Sequence, residues 1–198
     1  MRVFLKRAAL LVSVITVSPL MALARAGLAF GSEAVFNSFA CLLSLIPGKT
    51  GSYMRLGYYK GTLKHISPDV YIGFGSFFSR PGAEVGRNVT IGAYCILGNV
   101  VLRDGVMLAS RVSIPSGKYQ HGNSGSSQED APLRFDKVTI GQRTWIGEGA
   151  VILSDVGSDC IIGAGSVVTR PIPDGFVAAG NPARPTLKRG GQGSAGQT

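Results

Sequence analysis

From Val70 onward, branched aliphatic residues recur every six positions, a spacing that fits neither the 3.6 of an α-helix nor the two of a plain strand. Val85-Gly86, Ile91-Gly92 and Leu97-Gly98 fall six apart, and after one five-residue step Leu102, Leu108 and Ile114 continue the series. Four residues beyond each anchor, Val89, Cys95, Val101, Val106 and Val112 supply a second inward position. The pattern resumes with Ile140-Gly141, Ile146-Gly147 and Ile152-Leu153, then shifts by four residues to Val156, Ile162-Gly163 and Val168-Thr169. Thr144, Ala150, Cys160 and Ser166 take the second slot there. Each hexad predicts a short strand and a corner: the branched side chain turns inward, and a small residue lets the backbone bend. Three hexads close one coil of about 18 residues, and coils stack by strand pairing. Residues 70–115 and 138–170 thus predict an all-β core, a parallel β-helix of about four coils.

The N-terminal third has a different pattern. Ala8 to Ala24 carries no charge and follows the basic start MRVFLKR; a second apolar run, Ala34 to Ile46, contains Asn37, Ser38 and Ser44. As a helix the first run would reach about 25 Å, short for a bilayer crossing, and Pro19 predicts a kink in it. It can be read as a cleaved signal peptide with ALARA as the processing site, as a single span, or as a hairpin or shallow anchor with both runs in one leaflet. Basic residues flank both outer ends of the pair, at 2–7 and 49–64, which places both ends on one side and favours the hairpin or shallow anchor. The stretch SYMRLGYYKGTLKHI mixes Tyr53, Tyr58, Tyr59 and Leu63 with Arg55, Lys60 and Lys64. That mixture suits a headgroup boundary, or the cap of a soluble core if the helices simply pack on the main domain. The chain therefore divides into an α-helical, membrane-associated segment (1–64), a β-helix (65–189) with a loop at 115–137, and a disordered tail (190–198).

Composition narrows the classes. Among 198 residues, the 28 glycines lack a three-residue period and 45% are hydrophobic, which excludes collagen and disorder. Cys41, Cys95 and Cys160 are odd in number and widely spaced, matching neither a disulfide framework nor a zinc site. Cys95 and Cys160 fall in apolar patterns and read as buried thiols. The net charge of +9 comes without any nucleic-acid motif, so a nucleic-acid partner is not expected. His65 and His121 are the only histidines, too few for a three-histidine metal site; no metal is expected.

The closing run GAGSVVTRPIPDGFVAAGNPAR, together with the hexads over 65–188, resembles the left-handed β-helix hexapeptide acyltransferases. It is most similar to the branch acetylating exopolysaccharide and lipopolysaccharide sugars, such as colanic acid acetyltransferase. The resemblance implies a left-handed coil, a homotrimer, acetyl-CoA as co-substrate without a tightly bound cofactor, and a sugar hydroxyl as acceptor. It places His121, in the insertion SGKYQHGNSGSSQEDAPLRFDK, where relatives keep a general base for direct attack without an acyl-enzyme. Glu129, Asp130 and Glu148 are candidates to orient that ring. The family's acceptor asparagine has no match here; Tyr94 and Cys95 fall near its place. Gly147, Ala164, Gly165 and Ser166 are implied to form a flat wall for the pantetheine arm. Trp145 belongs near the thioester or in a trimer interface, Arg170, Arg184 and Lys188 near the phosphates, and Asn181 and Pro182 in a turn closing over the cofactor. Acetyl-CoA is made in the cytosol, so the expected location is the cytoplasmic face of the inner membrane. The alternatives are a non-catalytic β-helical scaffold and an acetyltransferase for a small non-sugar acceptor.

Overall fold

The computed structural model describes residues 2–116 and 136–188. His121, Glu129, Asp130 and the 190–198 tail lie outside the described residues. Three helices come first: α1 (Arg2–Ala29), α2 (Ala34–Ser44) and α3 (Gly48–Thr62). Short parallel strands then stack in three faces, one strand per face in each coil. The first face holds His65–Ile66, Glu84–Val85, Val100–Leu102 and Val138–Ile140, continued by single bridges at Val156 and Ile172. The second runs from Tyr71–Ile72 through Thr90–Ile91, Met107–Leu108, Trp145–Ile146 and Ile161–Ile162 to Phe176–Gly180. The third contains Phe77–Phe78, Ile96–Leu97, Ser113–Ile114, Val151–Ile152 and Val167–Val168. This is a β-helix of about five turns, one more than the hexads suggested. The pairing begins at His65 and ends past Ile172, where the six-residue spacing is obscured.

The hexad phase explains the core. Ile72, Ile91, Leu108, Ile146 and Ile162 stack inward in register on the second face, all within 2% of complete burial. Val101 does not take the inward position expected of it. It stands in the outward column between Glu84 and Thr139, and Val100 and Leu102 point in. Cys95 and Cys160 are buried as expected, and burial pushes the Cys95 thiol's pKa up. The coil ends on an antiparallel strand, Ala183–Lys188, which folds back along Phe176–Gly180 and touches the third face at Val167–Val168.

The helices close the opposite end of the coil. α1 runs through Pro19 unbroken, and the Ile15 carbonyl, which Pro19 cannot satisfy, accepts a bond from the Ser18 hydroxyl at 2.8 Å. One face of α1 (Ser13, Val17, Ala24) is buried. It runs in the same direction as α3: Ser13 meets Gly57 and Met21 meets Gly61, where a Cβ would stand 3.2 and 2.6 Å from its neighbours. Phe36, Ala40 and Leu43 of α2 are buried with Tyr58 and Tyr59 of α3 under the first coil. Tyr58 donates to the Phe36 carbonyl at 2.9 Å, and the Tyr59 hydroxyl accepts from the Phe78 amide at 2.9 Å. One side of the second apolar run and of the tyrosine-rich stretch therefore packs against protein, while Leu42 and Leu45 are exposed. Their apolar residues are matched by open coil edges that no other element covers.

Candidate active site

Between the second and third faces, every coil turns through a residue in the left-handed region: Gly75, Tyr94, Arg111, Gly149 and Gly165, with φ between 57° and 72°. In the lower coils this corner is bulky. Tyr94 is exposed and stands edge-on to Phe74 at 5.5 Å, and Arg111 pairs with Glu148 at 2.6 Å. From residue 147 upward the same corner is Gly147, Gly149, Ala164 and Gly165. A Cβ at Gly149 or Gly165 would meet nothing within 4 Å, so backbone there is open to an approaching chain. Gly147 is constrained differently: its Cβ would lie 2.5 Å from the Ala164 amide nitrogen of the next coil.

The last hairpin ends at this corner. Gly180 sits above Ala164, and Asn181 and Pro182 form the exposed turn that joins the two final strands through a cis peptide. Arg184, exposed, lies opposite Ala179 on the returning strand. Ser166 is fully buried and its hydroxyl accepts the Gly180 amide at 3.2 Å. Its side chain thus fastens the hairpin from inside and does not face the wall. Trp145 is 39% exposed, outward on the second face between Met107 and Ile161. Arg170 stands at the next corner, between the third and first faces, and is not brought to the wall within one chain. The Lys188 side chain lies outside the described residues.

The insertion carrying His121 leaves and rejoins the coil at that same third-to-first corner. Its exit is fixed by Ser116, 3% exposed, whose hydroxyl accepts the Asn99 amide at 2.8 Å. Its return is fixed by Lys137, bonded at 2.8 Å to Glu84, which also receives Lys64 at 2.9 Å. The two ammonium groups hold the Glu84 carboxyl down at about 2. Beside the exit lies a cavity of about 300 Å³ lined by Asn37, Ser79, Arg80, Ile96, Pro115 and Ser116. The Asn37 Oδ1 is buried there with no hydrogen-bond partner. Asn37 was not marked by any sequence signal: α2 read as an apolar run in which a polar residue was incidental. Among the described residues no cluster of three metal-ligating side chains occurs.

A stacked three-faced coil with an open glycine corner and a closing hairpin defines a left-handed parallel β-helix built of hexapeptide repeats. The bacterial transferase hexapeptide (six repeats) model matches residues 137–170. The galactoside O-acetyltransferase of Escherichia coli K12 is 32% identical over 124 residues, covering 60% of this chain and 58% of that protein. A putative lipopolysaccharide biosynthesis O-acetyl transferase of the same organism is 32% identical over 57% of this chain and 60% of its own length. The chain thus spans less than two thirds of these relatives. Among solved structures, a maltose O-acetyltransferase from Clostridium difficile 630 superposes with a TM-score of 0.68 at 25% identity, over 78% of this chain and 84% of that one. A galactoside acetyltransferase in complex with coenzyme A shares the fold with a TM-score of 0.62 at 23% identity, over 76% of this chain and 78% of its own. The protein resembles hexapeptide-repeat sugar O-acetyltransferases in both sequence and fold.

Proposed function

We propose that this chain transfers an acetyl group from acetyl-CoA to a sugar hydroxyl during surface-polysaccharide or lipid-linked glycan synthesis. The observation that carries the reading is the corner that turns from Tyr94 and Arg111 below to Gly149 and Gly165 above, closed by Asn181-Pro182. A thin pantetheine arm can lie on such bare backbone and pair its amides there, with Trp145 alongside and Arg184 and Lys188 near the phosphates. Arg170 belongs to the other edge of the third face and would reach the same ligand only from a neighbouring protomer.

The chemistry assigned to His121 is general base catalysis. Its imidazole takes the acceptor proton as the oxygen attacks the thioester carbonyl; the tetrahedral oxyanion collapses, the C–S bond breaks, and the proton passes to the departing thiolate. No acyl-enzyme is needed, and Cys95 and Cys160 are too buried to serve as nucleophiles. Glu148 is engaged by Arg111; Glu129 and Asp130 are the other candidates to orient the ring. The cavity at Asn37, at the root of the insertion, is the place we assign to the acceptor.

Two further readings belong to the same proposal. A homotrimer is supported by the outward columns: Tyr71, Met107 and Trp145 on the second face and Ile96 on the third are 39–48% exposed, with Phe77, Val151 and Val167 beside Ile96. The first face instead carries His65, Glu84 and Thr139. Attachment to the cytoplasmic face of the inner membrane is supported by α1, whose residues Ala8–Ala29 are long and apolar enough to cross a bilayer yet only 17% buried.

The test is release of CoA from acetyl-CoA with a panel of free and lipid-linked sugars. Turnover is expected with at least one sugar, and His121→Ala should lower it by about 10²–10⁴-fold. A folded protein that turns over acetyl-CoA with none of them would favour the scaffold.

A further inference from the structure

One hollow among the described residues lies at the helical end of the coil, away from the glycine corner. It is a cavity of about 480 Å³ between the start of α1, the start of α3 and the first coil, lined by Lys6 and Leu10, by Lys49, Ser52, Tyr53 and Leu56, and by residues 68–71. Its interior is apolar: Leu56 and Val70 are buried, and Leu10 packs on the core. Its mouth is cationic. Lys6 and Lys49 are both exposed, and neither has a carboxylate within 4 Å among the described residues. One acid, Asp69, also stands on the rim, against the two lysines. A volume of this size with apolar walls and a few charged groups is the usual form of a small-ligand site.

The surroundings say what kind of ligand. Immediately along α1 from Lys6 and Leu10, the side chains of Leu11, Val12 and Ile15 stand 62–64% exposed. At 100° per residue they begin a stripe that continues through Pro19, Ala22, Leu23, Ala26 and Phe30. The stripe covers roughly a third of the helix circumference and lies opposite the face buried on α3. Because that buried face is tied to α3 along its length, α1 is suited to lie in a bilayer surface and not to cross it. The cavity therefore opens where the stripe begins, with two ammonium groups at its rim.

We propose that the cavity holds one anionic phospholipid drawn from the membrane on which α1 lies. Its phosphate pairs with Lys6 and Lys49, and the upper part of its acyl chains occupies the space against Leu10, Leu56 and Val70. This rests on the membrane reading of α1 but not on the acetyltransferase reading, so it can be tested whether or not any sugar is acetylated.

The full-length protein purified in mild detergent should carry phospholipid near one molecule per chain by phosphorus analysis and native mass spectrometry. It should bind vesicles of phosphatidylglycerol and phosphatidylcholine more tightly than phosphatidylcholine alone. Lys6→Glu with Lys49→Glu should remove the retained lipid and weaken binding to the anionic vesicles at least about tenfold, without lowering the thermal midpoint. Leu10→Trp, which fills the cavity but keeps both charges, should abolish lipid retention while leaving most of the vesicle binding. Inorganic phosphate at millimolar concentration should not displace the lipid. Retention unchanged in both the double variant and Leu10→Trp would overturn the proposal. So would displacement by free phosphate, which would make the site one for soluble anions. If the stripe variant Leu11→Ser/Val12→Ser/Ile15→Ser kept full vesicle binding, the membrane reading itself would fail first.

Discussion

Arg55 is the most consequential single side chain in the structure. It is 1% exposed and its guanidinium donates to the carbonyls of Leu43, Ser44 and Ile46 at the end of α2 and to Ile72 in the first coil, at 2.9–3.3 Å. Three of these carbonyls lie where the intrahelical ladder of α2 runs out, and the dipole there favours a cation. Burial lowers its pKa from the ordinary value, but no carboxylate is required because the fork is filled by oxygen lone pairs. Arg55→Leu is expected to cost about 3 kcal/mol or more in urea unfolding. Arg55→Lys should recover only part of that, since an ammonium cannot reach both elements. Glu84 gives a pH-dependent counterpart. Its folded pKa, about 2 against 4.5 unfolded, is lowered, so its contribution is present above 4.5 and is lost as pH falls toward 2. The stability gap between the wild type and Glu84→Gln should therefore be constant near neutrality and close between pH 4.5 and 2. The cysteines offer a simpler check: Cys41 is exposed and Cys95 and Cys160 are not. One thiol per chain should react with a disulfide reagent before denaturation and three after it.

At the scale of elements, the strands and the helical character of the N-terminal third were legible, but the way its helices pack on the coil was not. Each hexad repeats its inward anchor at a fixed phase, so Ile91, Leu97 and Leu108 announce themselves. The irregular coils were harder to count, because the first face advances by 19 residues from His65 to Glu84 and by 17 from Glu84 to Val101. α1 is apolar on two sides: Val17 and Ala24 serve the core, whereas Leu11, Val12 and Ile15 do not. Two apolar faces leave little periodic contrast, and the sequence then reads as a uniform membrane segment. Tyr58 and Tyr59 were left open between two readings, since the amphipathic character that suits a lipid interface equally suits a buried ring with a hydroxyl partner, and the structure buries both rings. The wall residues Gly147, Ala164 and Gly165 were legible through the family resemblance. Ser166 was placed on the wall by the resemblance but in an inward slot by the hexad phase, and the structure finds it inward. Gly147→Ala should force the next coil outward and cost about 1–3 kcal/mol by thermal or urea unfolding. Replacing Leu11, Val12 and Ile15 with serine should change stability by no more than about 0.5 kcal/mol each, yet shift the protein from the membrane fraction to the soluble one.

At the scale of the whole molecule, the distribution of surface chemistry is uneven around the prism. The first-to-second corner is a ladder of ion pairs, Arg87 with Asp104 and Arg143 with Asp159, whereas the second and third faces present Tyr71, Met107, Trp145 and Ile96. The homotrimer proposed above would bury the latter two faces and leave the charged corner in water. Light scattering should return about three times the 20.7 kDa chain mass, and Trp145→Arg should release smaller species. A C-terminal tag should be digested by protease only after spheroplasts are lysed; digestion in intact spheroplasts would place the domain on the other side of the membrane.

The two ends of the coil also bear on what such a protein must avoid. Parallel strands stacked at a constant rise present, at top and bottom, edges that any similar chain could extend, which is how fibres begin. Here the bottom edge is stoppered by α2 and α3, riveted through Arg55 and Tyr59, and at the top the second-face edge is turned back on itself by the antiparallel strand ending at Lys188. A truncation that removed the returning strand would leave an open ladder, and its product is expected to elongate into filaments that bind amyloid dyes.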